Sequence, residues 1–391
     1  MHITLQPRSL RGNIIAPPSK SMTHRYLICA ALADHPTQLV CSQSNRDIDA
    51  TISCLKALGA EIQLTESGFS VFPIKAAPQA ATLPCGESGT TLRLLLPIVG
   101  ALGLDATFTM TGRLPSRPLS PLWEEMERMG CHLSRPAENS IHCTGQLRPG
   151  KYSIDGNVSS QFVSGLLFAT SLLPGSELEI TGKVESAPYI AMTRHALGLF
   201  HAPSFHSPGY LTVEGDWSNA AFWLAAAHLG SDLNIYNLDD NTFQGDRAIV
   251  DLLPQLSTGR PTISAADIPD LIPILSIVAA ANHGAVFTDI ARLRLKESDR
   301  VAAIVHMIQT LGGRAVATKD TLFIDGTGLR GGTVDSFHDH RIAMSAAIAA
   351  TVCKEKVTLL NAQCVEKSYP AFWEEYQRLG GKLCKVPTET T

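Results

Sequence analysis

The sequence predicts an α/β protein with mixed sheets, built from six β/α units in two groups of three. Three observations support this: a length of 391 residues, alternating helix-like and strand-like segments, and one recurring helix-end pattern. At roughly 150 residues per domain, this length indicates two or three domains. With 45% hydrophobic and 17% charged residues, the chain can form large cores and is not a disordered protein.

The recurring pattern is a helix-like stretch that ends in Leu or Met and is followed by Gly and a short strand. Gly is expected after a helix because it adopts the left-handed conformation at little cost. Four strong and two weaker copies place the end positions at Gly59, Gly130, His201, Ser257, Gly312 and Gly380. Successive ends are 71, 71, 56, 55 and 68 residues apart, which favours six units of one design over a merely common helix end.

Seven segments with alternating or continuous apolar residues are strand candidates. They are residues 68–72, 106–110, 178–181, 210–213, 232–236, 322–324 and 357–360. Several strands come in hairpin-like pairs, so we expect mixed sheets. No low-complexity tract separates the two halves, so we expect short connections between them.

Composition narrows the class of protein. A net charge of −4 argues against a general nucleic-acid binder. The nine cysteines are odd in number and form no C-x-x-C pair, which indicates free thiols in a reducing cytosol. No apolar run of 18 residues and no N-terminal signal core occur, so we expect a cytoplasmic protein without a membrane partner.

Five predicted helices begin with residues that are typical of anion sites, at 19–21, 87–91, 159–161, 297–300 and 339–341. Their Ser, Thr and Asp residues are ordinary N-caps. Cations in first turns are less ordinary, since the positive end of the helix dipole disfavours them by roughly 0.3–1 kcal/mol. Helix N-termini with cations bind phosphates and carboxylates, which favours a shared anion site over unrelated caps. The cations in or near these first turns are Lys20, Arg25, Arg93, Arg300 and Arg341.

Other loops alternate basic and acidic residues. The segment 113–118 is rigid and basic, 294–297 precedes a helix, and Asp267 and Asp270 precede the apolar run 271–281. Carboxylates among cations are poor phosphate ligands and are candidates for proton transfer. Solvated ion pairs are the alternative interpretation.

Several familiar functional motifs are absent or lack the structural context that they require. The G-x-G-x-x-G at 326–331 follows a strand candidate, but no amphipathic helix comes after it. No P-loop and no G-x-S-x-G elbow are present. His338 and His340 are two residues apart and would not share a helix face, which disfavours a metal site.

Ten short segments resemble 5-enolpyruvylshikimate-3-phosphate synthases across nearly the whole chain. Each segment is short, but ten in the family's order are highly specific. They are PSKSMTHR (18–25), GTTLR (89–93), RP (117–118), GNVSSQF (156–162), SAPY (186–189), VEGD (213–216), IPD (268–270), RLKESDR (294–300), DHR (339–341) and KSYP (367–370).

The resemblance implies the two-domain enolpyruvyl transferase fold, an inside-out α/β barrel with three β/α units per domain. It assigns residues 20–216 to an N-terminal domain on the shikimate 3-phosphate side. Residues 1–19 and 217–391 form a C-terminal domain that carries the carboxylates and proton transfer. Domain closure would assemble the site and exclude water. We expect a monomer, and the resemblance implies no metal or organic cofactor.

The implied reaction moves the enolpyruvyl group of phosphoenolpyruvate onto the 5-hydroxyl of shikimate 3-phosphate and releases phosphate. Both substrates are multiply charged anions, which agrees with the cations at helix starts. The expected shikimate 3-phosphate ligands are Lys20, Ser21, Arg25, Ser159, Ser160, Gln161, Ser186, Tyr189, Asp270 and Lys296. The expected phosphoenolpyruvate ligands are Lys20, Gly89, Arg117, Gln161, Arg300, Arg341 and Lys367. Arg93, Arg294 and His340 are expected to support the site.

The resemblance also implies addition and elimination through a tetrahedral intermediate. Asp270 is the expected base for the 5-hydroxyl, Glu297 the expected proton donor to the methylene carbon, and Lys20 shares in proton transfer. An acid role needs a raised pKa at Glu297, whereas surrounding cations lower it, so this assignment stays open. The chain also departs from the family, because Glu87 and Leu94 stand where many relatives have Asn and Pro.

Three alternative functions are less compatible with these residues. The sister transferase that acts on UDP-N-acetylglucosamine typically has a reactive loop Cys and a Lys-Asn pair. This chain has Lys20-Ser21 and no Cys from 113 to 117. An RNA phosphate cyclase would need a nucleotide-accepting His and a more basic surface. A catalytically silent anion-binding module is opposed by the intact Lys20, Asp270, Glu297 and Arg341.

Overall fold

A computed structural model describes residues 1–386 of the chain. The chain divides into two compact units. The middle unit is Pro18–Glu214, and the terminal unit combines Met1–Pro17 with the chain from Gly215 onward. The chain therefore passes from one unit to the other two residues earlier than expected at each crossing.

The elements alternate along the chain. The strands are β1 (His2–Leu5), β2 (Arg11–Ile15), β3 (Thr37–Val40), β4 (Glu61–Thr65), β5 (Gly68–Phe72), β6 (Ala80–Gly86), β7 (Asp105–Met110), β8 (Cys131–Ser134), β9 (Ser140–Gly145), β10 (Lys151–Asp155), β11 (Glu177–Thr181), β12 (Tyr210–Thr212), β13 (Asp232–Tyr236), β14 (Thr262–Ser264), β15 (Gly284–Thr288), β16 (Arg314–Ala317), β17 (Thr321–Asp325), β18 (Gly332–Asp335), β19 (Val357–Leu360) and β20 (Leu383–Val386). All seven strand candidates coincide with strands, and the rejected segment 326–331 leads into β18 and not into a helix.

The helices are α1 (Lys20–Leu32), α2 (Arg46–Ala57), α3 (Gly89–Leu102), α4 (Leu122–Arg128), α5 (Ser160–Ser171), α6 (Ala187–Leu199), α7 (Trp217–His228), α8 (Ile249–Thr258), α9 (Ile272–Ala281), α10 (Arg300–Thr310), α11 (His340–Ala350) and α12 (Phe372–Arg378). Short 3-10 turns cover Leu114–Ser116, Gly245–Ala248, Ala291–Leu295 and Ala362–Lys367. Among residues 1–386, no helix has both the length and the apolar character needed to cross a membrane.

Both units repeat one sheet design. In the described residues, each unit has two four-stranded sheets and one two-stranded parallel sheet. In each four-stranded sheet the first pair is parallel and the later pairs are antiparallel. The middle unit has β12-β3-β5-β4, β6-β7-β9-β8 and β10-β11, and the terminal unit has β14-β15-β17-β16, β18-β19-β1-β20 and β13-β2. Three sheets per unit agree with the predicted six-unit design.

The most deeply buried helices form the core of each unit, α1 and α3 in the middle unit and α9 and α11 in the terminal unit. In the terminal unit, every residue of α11 and nine of the ten residues of α9 are buried. Helices that are apolar on all faces belong in a core. The strands instead alternate buried and more exposed residues, as in β1, so one sheet face is turned away from the core. Within residues 1–386 the sheets stay separate and open, which is the inside-out arrangement.

Five of the six predicted helix-end residues follow their helix with a positive φ. They are Gly59, Gly130, His201, Gly312 and Gly380, with φ between 50° and 117°. The prediction for Ser257 is wrong, since α8 continues to Thr258 and the following Gly259 is extended at φ −179°. The Ser257 hydroxyl lies 2.6 Å from Nε2 of His228, a tertiary contact that a local pattern does not contain.

Candidate active site

The first turns of α1, α3 and α5 in the middle unit are capped by neutral hydroxyls. Ser19, Ser88 and Ser159 each accept a hydrogen bond from a backbone N–H of the following turn. These caps satisfy the backbone but bring no negative charge. Nearby cations are therefore not neutralised by the caps, as an anion site requires.

Arg25 is the clearest case of a buried cation with neutral partners. It is 2% exposed, and its guanidinium donates to Thr193 Oγ1 at 2.8 Å and to Ser164 Oγ at 3.5 Å. It also donates to the backbone carbonyls of Ser21 at 2.7 Å and Tyr189 at 2.9 Å. Burial lowers the pKa of Arg25 to about 10. These bonds join α1, α5 and α6 around a positive charge.

Lys20 begins α1 and forms an ion pair that the sequence analysis missed. Its Nζ lies 2.9 Å from Oδ2 of Asp47 in the first turn of α2, and both side chains are largely buried. Asp47 lies close to a second set of hydrogen bonds between helices. In this set, Thr51 Oγ1 lies 2.7 Å from His24 Nδ1 and also 2.7 Å from Thr91 Oγ1. Together these bonds hold the starts of α1, α2 and α3 in place.

Gly89 opens α3 directly beneath Arg117. A Cβ atom built on Gly89 would lie 2.7 Å from Nη1 and 3.2 Å from Cζ of Arg117. Such distances are shorter than van der Waals contact, so a side chain at this position would displace the guanidinium. The absence of a side chain therefore places the Arg117 charge at the N-terminus of α3, where the backbone N–H groups also favour an anion.

The remaining predicted residues of the middle unit lie at α3, α5 and α6. Gln161 accepts from Arg93 Nη1 at 2.8 Å and donates to Thr90 Oγ1 at 2.8 Å, which joins α3 to α5. Ser160 is buried in the first turn of α5. Ser186 precedes α6 in the left-handed conformation at φ 57°, with no side-chain cap bond. A non-glycine residue in this region stores strain, which is common at binding sites.

The terminal unit contains the second cluster, centred on Arg300 in the first turn of α10. Its guanidinium donates to Asp270 at 2.8 Å, Glu297 at 2.8 Å and Asp339 at 3.0 Å. The Arg300 side chain is 1% exposed. Burial alone would lower the pKa of Arg300, but the three carboxylates raise it. Arg300 is thus the centre of a carboxylate cluster, and a ligand anion could reach it only by replacing a carboxylate.

Asp270 bridges two arginines immediately before α9. Its second oxygen lies 3.1 Å from Nη2 of Arg341, the second residue of α11. Burial would raise the pKa of Asp270, but Arg341, Lys296 and Arg300 together hold it well below its ordinary value. Burial lowers the pKa of Lys296 to about 8, with Arg292 and Arg300 acting in the same direction. The cluster therefore holds an ionised carboxylate beside an amine that can lose its proton near neutral pH.

Three predicted residues are less closely tied to Asp270. Arg294 donates to the Thr318 carbonyl at 2.8 Å and lies 3.4 Å from Asp299. His340 is buried at the start of α11, whereas His338 is exposed, which gives no support to a joint metal site. Lys367 ends the 3-10 turn Ala362–Lys367, which packs against α11.

The two units differ in the charge of their helix caps. In the middle unit, the caps that accept a backbone bond are Ser19, Asn45, Ser88 and Ser159. In the terminal unit they are Asp216, Asp299 and Asp339. The neutral caps add no negative charge at the helix starts, whereas Asp339 contributes to neutralising Arg300. These caps of the middle unit are thus neutral, and those of the terminal unit are acidic.

Comparisons with known proteins find one family along nearly the whole chain. The family model described as EPSP synthase (3-phosphoshikimate 1-carboxyvinyltransferase) matches residues 5–376. The chain is 36% identical to the 3-phosphoshikimate 1-carboxyvinyltransferase of Clostridium kluyveri, over 98% of each protein. It is also 36% identical to the protein of that name from Clostridium acetobutylicum, over 97% of this chain and 98% of the relative.

Solved structures show the same fold. EPSP synthase from Acinetobacter baumannii matches with a TM-score of 0.78 and 23% identity, over 98% of this chain and 100% of that one. The enolpyruvyl transferase NikO from Streptomyces tendae matches with a TM-score of 0.73 and 18% identity, over 98% of each chain. The fold is therefore that of the enolpyruvyl transferases. Within that class, the chain belongs to the EPSP synthase family, which confirms the resemblance seen in the sequence.

Proposed function

We propose that the chain transfers the enolpyruvyl group of phosphoenolpyruvate to the 5-hydroxyl of shikimate 3-phosphate and releases phosphate. This reaction belongs to the shikimate pathway, which leads to chorismate and the aromatic amino acids. Family membership supports the proposal. The observation that carries it is that the chain buries Arg25 among four neutral oxygens and, separately, gathers three carboxylates around Arg300.

The middle unit binds the phosphate of shikimate 3-phosphate in this proposal. Ser159, Ser160 and Ser186 supply hydroxyls at helix starts, and Arg25 supplies the nearby positive charge. A phosphate would give that charge the opposite partner that its four neutral oxygens do not provide. Ser21, Gln161 and Tyr189 complete the expected ring contacts of the substrate.

Phosphoenolpyruvate binds at the start of α3 in the same proposal. Lys20 and Arg117 provide charge there, and Gly89 keeps Arg117 close to the helix N-terminus. Arg341 and Lys367 of the terminal unit are further ligands of this substrate. Arg300 acts through Asp270 and Glu297, because its own donors are already bonded to protein carboxylates.

The terminal unit moves protons. Asp270 is ionised at neutral pH, so it can accept the proton of the 5-hydroxyl as the oxygen attacks C2 of phosphoenolpyruvate. Glu297 gives a proton to the methylene carbon, which produces the tetrahedral intermediate. Because its 2.8 Å bond to Arg300 favours the ionised form, this step requires Glu297 to take up a proton first. Glu297 then takes a proton back from the new methyl group, phosphate departs with the proton held by Asp270, and the double bond is restored. Lys296 and Lys20 balance the charges that develop.

The test measures phosphate release by purified protein with phosphoenolpyruvate and shikimate 3-phosphate, beside a reaction with UDP-N-acetylglucosamine. We expect release only with shikimate 3-phosphate. Release only with the sugar nucleotide would assign the chain to the sister reaction. If folded protein releases no phosphate in either reaction, the chain would be interpreted as an anion-binding module.

Two variants test the proton-transfer roles. We expect Asp270→Ala and Glu297→Gln each to lower kcat by at least about 100-fold, since general acid–base catalysis is worth that much. Glu355→Gln, an exposed glutamate in the same unit, is the matched control and should keep normal turnover. Near-normal rates in either test variant would exclude that residue as an acid or a base.

The proposal includes a cytoplasmic location and a monomeric state. The nine cysteines are free thiols, which is consistent with a reducing compartment. Size-exclusion chromatography with light scattering measures the mass in solution. A mass of two or more chains would contradict the monomer.

A further inference from the structure

Asp246 is a buried carboxylate of the terminal unit for which the proposed mechanism has no use. It lies in the 3-10 turn Gly245–Ala248 and is 3% exposed. Its Oδ2 accepts a hydrogen bond from the hydroxyl of Ser218, while Oδ1 is buried and has no hydrogen-bond partner. A fully ionised carboxylate in such a place is costly, so the residue is expected to hold a proton under some conditions.

The turn is held firmly against the start of α7. The preceding Gln244 accepts from the backbone N–H of Trp217 at 3.0 Å and donates to the Gly215 carbonyl at 2.8 Å. Helix α7 packs against α9 and α11. Asp270 lies two residues before α9 and Arg341 is the second residue of α11. The fold thus brings Asp246 into the electrostatic environment of the proposed base.

The charges around Asp246 are mixed. Burial raises its pKa to about 7, and Asp270 and Asp216 act in the same direction. Arg341 and the bond from Ser218 lower its pKa. On the other side, Arg247 pairs with two exposed carboxylates, Asp240 and Asp251, at the surface. Asp270 and Asp246 therefore share the field of Arg341, and each negative charge disfavours the other.

We propose that Asp246 is a positioning residue for Asp270, and that its charge state sets how readily Asp270 accepts the substrate proton. This inference rests on the proposed function, in which Asp270 is the base. With Asp246 protonated, the surrounding cations act on Asp270 alone and make it a weak base. When Asp246 ionises, its charge offsets part of the field of Arg341, and Asp270 becomes more basic.

The test variant is Asp246→Asn, which has nearly the same shape, keeps an acceptor for Ser218 and stays neutral at every pH. We expect wild-type kcat to rise through about pH 7 and the variant to lack this rise. The ratio of wild-type to variant kcat should be near one at about pH 6 and about tenfold at about pH 8.5. Asp232→Asn, an exposed aspartate of the same unit with a side chain 72% exposed, is the control and should follow the wild-type profile.

A second measurement does not depend on catalysis. Infrared difference spectra between wild type and Asp246→Asn should show a carboxylic acid C=O band that disappears as the pH passes about 7. A kcat ratio that is the same at all pH values, or no titrating band, overturns the role of Asp246 alone. No phosphate release by the wild-type protein overturns the proposed function and this role with it.

Discussion

Replacing Arg25 by Met should weaken the binding of shikimate 3-phosphate without lowering the free energy of unfolding. The guanidinium is buried among four neutral oxygens, and burial lowers its pKa from 12.5 to about 10. That shift corresponds to about 3 kcal/mol of unfavourable free energy for the charged form in the ligand-free fold. Replacing a whole buried ion pair with apolar side chains is often neutral or stabilising, whereas removing one partner leaves an uncompensated charge. The four acceptors of Arg25 are neutral, so its replacement leaves no such charge.

The acceptors that Arg25 leaves behind keep other partners. The hydroxyl of Thr193 lies 2.8 Å from Ser164 Oγ and 3.2 Å from the Tyr189 carbonyl. We therefore expect Arg25→Met to equal or exceed the wild type in free energy of unfolding. Loss of a charge-assisted bond of about 3 kcal/mol should raise the dissociation constant of shikimate 3-phosphate about 100-fold.

Urea unfolding with and without shikimate 3-phosphate measures both effects. The ligand should stabilise the wild type by about 2.7 kcal/mol at 100 times its dissociation constant, and the same concentration should barely stabilise the variant. Arg148→Met, which removes an exposed arginine that donates to backbone carbonyls, is the control and should keep the ligand effect. A variant that unfolds more easily by more than about 2 kcal/mol yet binds normally would refute the reasoning.

Three further outcomes are expected. Gly89→Ala should displace Arg117, because the new Cβ would lie 2.7 Å from its Nη1. In steady-state assays, KM for phosphoenolpyruvate should therefore rise by at least about tenfold, whereas KM for shikimate 3-phosphate should change little. Arg300→Met leaves three carboxylates without their shared cation and should cost about 3–5 kcal/mol in urea unfolding, whereas Arg294→Met should cost less than about 1 kcal/mol. The pKa of Asp246 is about 7 in the folded chain and about 3.9 unfolded, so this group makes the wild type lose up to about 4 kcal/mol as pH rises from about 4 to about 7. Asp246→Asn should lack that loss in denaturation series at about pH 5 and about pH 8; equal pH dependence in both proteins would contradict it.

Helix caps and helix ends could be predicted from the sequence because they depend on residues only a few positions apart. A hydroxyl or carboxylate at a cap bonds to a backbone N–H two or three residues ahead, and Ser19, Ser159 and Asp339 all do so. A left-handed residue ends a helix wherever it occurs, and even His201 adopts φ 50° at the predicted position. The prediction for Ser257 is wrong because the helix continues to Thr258 and ends at Gly259, two residues later than the pattern indicates.

The hydrogen-bond and ion-pair partners of the site residues could not be predicted from the sequence. Arg25 lies in the second turn of α1 and Arg300 begins α10, yet Arg25 donates to neutral oxygens and Arg300 to three carboxylates. Asp47 and Asp246 carried no sequence signal beyond being acidic. Their importance depends on packing, which decides the neighbours and the burial that change their charge states.

The sequence by itself determined the family, the β/α units, the helix starts and the set of residue types available for anions and protons. Those features depend on short segments whose backbone preferences act over a few residues. Tertiary structure alone decided that Arg25 is buried among neutral oxygens and that three carboxylates neutralise Arg300. Thr193 reaches Arg25 across 168 residues of chain, and Asp339 reaches Arg300 across 39, because helix starts that are distant in sequence meet in the folded core.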